Sequence, residues 1–110
     1  RLAVTYDHTV AKHLPLAALG DPTRRAIYED LVRRPMSVGD LASKHPVSRP
    51  AVSQHLKVLA GAGLVQATAE GTRRIYHADP AGLASLREWV ESTWDQVLDS
   101  YQAVAREERK

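Results

Sequence analysis

The sequence predicts a mainly α fold of the α+β kind, in which a run of helices carries one two-stranded hairpin. Three observations point there. Apolar residues recur at helical spacing, most clearly at Val52, Leu56 and Leu59 and again at Leu83, Leu86, Val90, Trp94, Val97, Tyr101 and Val104. The period shifts to that of extended chain only between residues 64 and 77. Helix-start signals, Asp21-Pro22, Ser37 and Ser48-Arg49-Pro50, precede three of the shorter helical stretches. The 110 residues are read as a single domain, 1–110.

A first helix is expected over about residues 9–19, with Val10, Leu14 and Leu19 on one side and Pro15 disturbing its shape. Asp21 caps the next, with Pro22 at the first helical position, where a missing N–H costs nothing. Ile27, Leu31 and Val32 form its apolar stripe, and Arg33-Arg34 suit its C-terminus before Pro35 stops it. Ser37 caps a short helix with Val38, Leu41 and Ala42 inward, ending near His45-Pro46 because the residue before proline avoids helical geometry. Ser48 caps another, ended by Gly61 and Gly63. Leu64–Thr68 and Thr72–His77 read as two strands around a turn containing Glu70-Gly71. Residues 80–107 form one long helix, which would span about 40 Å at 1.5 Å per residue. That exceeds the width of a domain this size, so its apolar stripe overhangs and needs a second chain to cover it. Leu14, Leu86, Val90, Trp94, Val97 and Tyr101 are the expected dimer-interface residues.

Composition narrows the function classes. The chain is 44% hydrophobic and 25% charged, an ordinary globular balance. It has no apolar run of membrane-spanning length and no secretory-signal pattern, so the expectation is a cytoplasmic protein with no membrane partner. The absence of cysteine excludes disulfides, thiolate metal sites and cysteine nucleophiles. The net charge of +2 is unevenly spread: residues 44–77 carry +4, residues 78–110 carry −3. A basic middle beside an acidic end suits a nucleic-acid reader with a separate assembly helix.

Two helices joined by Pro46-Val47-Ser48, the second with a polar outer side, form a helix-turn-helix over 37–60; the hairpin over 64–77 makes it a winged helix. Opposite Val52, Leu56 and Leu59, at 100° per residue, lie Pro50, Gln54 and Lys57, with Ser53 on the flank. Gln54 matches adenine bidentately, and Lys57 reaches guanine acceptors or phosphate. Ser48 and Arg49 open the helix where free N–H groups favour an anion. Arg73 and Arg74 on the hairpin suit backbone phosphate or the minor groove. The expected partner is therefore double-stranded DNA.

The runs Leu19-Gly20-Asp21-Pro22-Thr23-Arg24-Arg25-Ala26-Ile27, Ser37-Val38-Gly39-Asp40-Leu41-Ala42 and Ser48-Arg49-Pro50-Ala51-Val52-Ser53-Gln54-His55-Leu56-Lys57-Val58-Leu59 strongly resemble the ArsR family of winged-helix transcriptional regulators. Gly61-Ala62-Gly63-Leu64-Val65 and Gly71-Thr72-Arg73-Arg74-Ile75-Tyr76 continue the match, which covers about residues 14–80. The resemblance implies a homodimer whose terminal helices pair, and operator binding, usually repressing, through Ser48, Arg49, Ser53, Gln54, Lys57 and the wing arginines. Members that sense thiophilic metals carry a cysteine pair where this chain has Ser37 and Gly39. Zinc-sensing members use Asp and His on the last helix, where this chain offers Asp79 but no histidine from Pro80 onward. The acidic tail with Trp89 and Trp94 resembles the metal-independent branch, so no metal or other cofactor is expected.

Other residues have plainer readings. Asp7, His8 and His13, with His45 or His77, are the pieces of an unorthodox metal site, but the spacing of His8 and His13 puts them on different helical sides. A metal-responsive repressor with such a site, and a winged helix that binds protein, are the alternatives; polar Ser53, Gln54 and Lys57 argue against the second. His55 lies at the edge of a buried face and reads as a packing or phosphate-contacting residue. Trp89 and Trp94 read as interface packing, with a pocket for a small-molecule inducer as the alternative. No glycine-rich phosphate loop, zinc-protease motif or nucleophile elbow is present, so the chain is read as no enzyme.

Overall fold

The computed structural model describes residues 14–109. Residues 14–18 are helical (α1), followed by α2 (Pro22–Arg33), β1 (Met36–Ser37), α3 (Val38–Lys44), α4 (Arg49–Gly61), β2 (Val65–Glu70), β3 (Arg73–Ala78) and α5 (Pro80–Arg109). The upstream part of the expected first helix, and with it Asp7, His8, Val10 and His13, lies outside the described residues.

The caps form as local chemistry dictates. Asp21 Oδ2 accepts the Arg24 N–H at 2.8 Å, Ser37 Oγ accepts that of Asp40 at 3.1 Å, and Ser48 Oγ accepts that of Ala51 at 3.3 Å. In each case the side chain satisfies a donor that the first helical turn leaves orphaned. The helices then bury one stripe each. Ile27, Leu41, Val52, Leu56, Leu59 and Leu64 are completely excluded from solvent and, with Tyr28, Leu31, Met36 and Val65, make the core. Val32 departs from expectation at 57% exposure. The buried arc of α2 turns toward Tyr28, and Val32 falls about 140° round the helix from Ile27.

The sheet has three strands rather than two, in the order β1-β3-β2, all antiparallel. Met36 pairs with Tyr76 and Ser37 with Ile75, so the two residues before α3 hem the inner edge of the hairpin. β2 runs two residues further toward the tip than the expected first strand, to Glu70, which pairs with Arg73 at the start of β3 across Gly71-Thr72. Gly71 has φ 63°, the left-handed value that the first central position of a type II′ hairpin turn requires.

α5 leaves the sheet at Asp79, whose Oδ1 accepts the Ala81 N–H at 3.0 Å. Its root is set by a close approach of two glycines. The Gly82 N–H donates to Gly63 O at 2.8 Å, and a Cβ on Gly82 would stand 2.6 Å from backbone atoms of Gly63. Beyond that contact the helix projects from the body, which explains a radius of gyration of 18.2 Å against the ~13 Å of a compact chain this long. Among the described residues no helix is long and apolar enough to cross a membrane.

Candidate nucleic-acid interface

The orientation of α4 is fixed from its buried side. With Val52, Leu56 and Leu59 locked in the core, Pro50, Ser53, Gln54 and Lys57 must face outward, and all four are exposed, as are Ser48 and Arg49 at its start. His55 sits between the two sides, and its Nδ1 lies 3.2 Å from Arg24 Nη1. Arg24 in turn donates from Nε to Ala18 O at 2.7 Å, so the start of α2 braces α4 against α1.

The hairpin stands beside this face. Ser53, Gln54 and Lys57 share a groove of about 540 Å³ with Ala67, Arg74 and Tyr76 of the sheet. Strand alternation sends the two arginines apart. Arg74 borders the α4 groove, whereas Arg73 turns back to α3 and donates from Nη2 to Ser37 Oγ at 2.9 Å and Asp40 Oδ2 at 3.3 Å. Arg49 also leans toward α3: its Nη2 lies 3.1 Å from where a Cβ on Gly39 would be. The structure thus brings Ser53, Gln54, Lys57 and Arg74 to one groove, and Arg49, Arg73 and Arg74 to a second concavity next to it.

Sequence spacing gave no hint of one bracing cluster. Asp30, on α2, is almost fully buried and takes His45 Nε2 at 2.6 Å, Arg33 Nη1 at 3.0 Å and Lys44 Nζ at 3.7 Å. His45 is the C-cap of α3, so this cluster anchors the turn that delivers α4. His45 is therefore engaged in an intramolecular pair, and His77 Nδ1 lies against its neighbour's carbonyl, 3.4 Å from Ala78 O. Among the described residues no three His, Cys, Asp or Glu side chains come together to hold a metal.

Two carboxyls are held below the ordinary carboxylate range, Asp21 chiefly by the Arg24 N–H and Asp79 by the Ala81 N–H and then the Gln66 amide at 2.6 Å. Burial raises the Tyr28 hydroxyl above its usual value.

Along α5 the apolar stripe is open. Val90, Trp94, Val97, Tyr101 and Val104 are each at least half exposed, with Trp94 at 62% and Tyr101 at 70%. Leu86 is half-buried and Leu14, from α1, is exposed beside the α5 root.

Comparison with known proteins places this architecture. Residues 19–66 match the helix-turn-helix domain family. The chain is 56% identical over 84 residues, 76% of its own length and 78% of the other, to the HTH-type transcriptional regulator Rv2034 of Mycobacterium tuberculosis. It superimposes with a TM-score of 0.72 on an ArsR-like transcriptional regulator from Rhodococcus sp. RHA1, at 34% identity over 88% of this chain and 94% of that one. A homodimeric winged helix-turn-helix DNA-binding domain from Mycobacterium bovis superimposes with a TM-score of 0.63, at 27% identity over 91% and 90% of the two chains. With the capped α3-turn-α4 unit, the polar α4 face and the adjoining wing, these matches establish that the chain belongs to the ArsR-like family of helix-turn-helix transcriptional regulators and is a DNA-binding regulator.

Proposed function

We propose that residues 1–110 act as one module, a homodimer that grips an inverted-repeat operator with two α4 helices in successive major grooves about 34 Å apart. The observation that carries this reading is the exposed row Ser53, Gln54 and Lys57, held rigidly by a fully buried opposite face and flanked by Arg74. Gln54 pairs with an adenine edge, Lys57 with guanine or phosphate, and Ser53 fits beside them. Ser48, Arg49 and Pro50 place the start of α4 on the sugar-phosphate strand, and Arg73 and Arg74 add wing contacts. Dimer formation is supported by the open α5 stripe of Val90, Trp94, Val97 and Tyr101, with half-buried Leu86 before it and Leu14 next to its root, and by the homodimeric relative. Repression follows most simply, because occupying an operator blocks the transcription machinery without any further contact.

Selection from random duplexes by the purified protein tests this. It should enrich inverted repeats with half-sites one turn apart, and Gln54→Ala should relax preference at one adenine position by about 1–3 kcal/mol. Failure to enrich any duplex, or an unchanged preference in the variant, would refute the DNA reading or the role of Gln54 respectively.

A further inference from the structure

The second concavity, about 480 Å³ between α3, the start of α4 and β3, is lined by Ser37, Asp40, Ser43, Arg49, Arg73 and Arg74. Three arginines and one aspartate are among its lining residues, a formal excess of two positive charges. Arginine forks fit the oxygens of a phosphate better than any other side chain. The Arg49 guanidinium packs over Gly39, its Nη2 3.1 Å from where a Cβ would stand, so a side chain there would shift it by a few tenths of an ångström. Arg73 is not idle: it is aimed by Ser37 Oγ at 2.9 Å and neutralised by Asp40 Oδ2 at 3.3 Å. Both members of that ion pair are more than half exposed, so the pair is screened by water and easily exchanged.

We propose that this concavity is a seat for a DNA backbone phosphate that Asp40 occupies in the free protein, the arriving phosphate taking Arg73 from the Asp40 carboxylate. The proposal rests on the DNA-binding reading above and adds to it the residue that regulates its phosphate affinity. Because phosphates carry no sequence information, Asp40 lowers affinity for operator and unrelated duplex by the same factor and leaves the preference between them untouched. The chemistry recognised is a tetrahedral oxyanion, whose sources are the DNA strand or free phosphate, and the geometry favours the strand. The seat shares Arg74 with the groove of Ser53, Gln54 and Lys57, so a strand running past the base-reading face passes over it.

The test is fluorescence anisotropy of labelled duplexes across a salt series with wild type, Asp40→Asn, Arg73→Gln and the double variant, each checked for unaltered thermal unfolding. Asp40→Asn should tighten operator and unrelated duplex alike by roughly two- to fivefold, the scale of an exposed ion pair. Arg73→Gln should flatten the slope of log affinity against log salt by about 0.9, one phosphate fewer neutralised, whereas Asp40→Asn should keep the wild-type slope because variant and wild type seat the same phosphate. In the Arg73→Gln background the same change should do nothing. Wild-type binding with no effect of Asp40→Asn overturns the proposal, as does an equal gain with and without Arg73, which would make it a general charge effect. Repeating the titration in sodium phosphate and in chloride at equal ionic strength separates the sources. Equal affinities fit a seat for the DNA strand, and a selective loss in phosphate overturns that assignment in favour of a free oxyanion. If neither wild type nor Asp40→Asn binds any duplex, the DNA-binding reading itself falls.

Discussion

Single side chains set the frame in which the reading helix works. Asp21 and Asp79 each accept a backbone N–H at the start of a helix, and each is held ionised below the ordinary carboxylate range by that bond. Because the native pKa is depressed, the stabilisation is complete above the unfolded value near 4 and is lost as pH falls through the native one. Thermal unfolding should therefore drop between about pH 5 and pH 3, and Asp21→Asn should drop less over that window than wild type, since asparagine caps without titrating. Parallel curves would show that the charge of Asp21 contributes nothing. At this scale the sequence was legible where the partner lies within one turn, as for Asp21, Ser37 and Ser48. It was silent where the partner is distant. His45 meets Asp30 across 15 residues and Arg73 meets Ser37 across 36, and neither contact leaves a periodic trace.

At the level of elements, α2 to α5 and the hairpin follow from the sequence because capping, proline position and the 3.6-residue period all act locally. β1 escapes such reading. Two residues are too few to show alternation, and Met36-Ser37 becomes a strand only because β3 offers an edge at Ile75 and Tyr76. The α4 face was legible for the same reason its groove was not: Val52, Leu56 and Leu59 define the outward side of one helix, but only the fold puts Arg74 and Tyr76 beside Gln54. The junction of α5 with the turn after α4 was likewise hidden, since nothing local distinguishes Gly82 from any other glycine near a helix start. Gly82→Ala would drive a methyl group into Gly63 O and Ala62 O, backbone atoms that cannot rotate aside. The expected result is a loss of about 1–3 kcal/mol in urea denaturation. Unchanged stability would mean that α5 moves off its contact freely.

For the whole molecule, the main consequence of the fold is a division of labour between two surfaces. The basic surface of α4 and the wing faces outward, and the acidic α5 carries an apolar stripe that its own body does not cover. Since Trp94 is 62% exposed, Trp94→Asp should leave the monomer fold within about 0.5 kcal/mol of wild type. Placing an unpaired charge in the proposed α5 interface should nonetheless split the dimer, to be seen as a monomer of unchanged helicity in sedimentation and circular dichroism. A variant that stays dimeric would remove this stripe from the assembly. The glycine contact at the root of α5 also makes that helix a lever. From Gly82, where the helix touches Gly63, the chain runs on to Arg109 as an arm of about 40 Å, so a ten-degree tilt there would carry the tip by roughly 7 Å. In the proposed dimer joined along α5, a tilt of that size would be enough to put the two reading heads out of step with the pitch of the duplex.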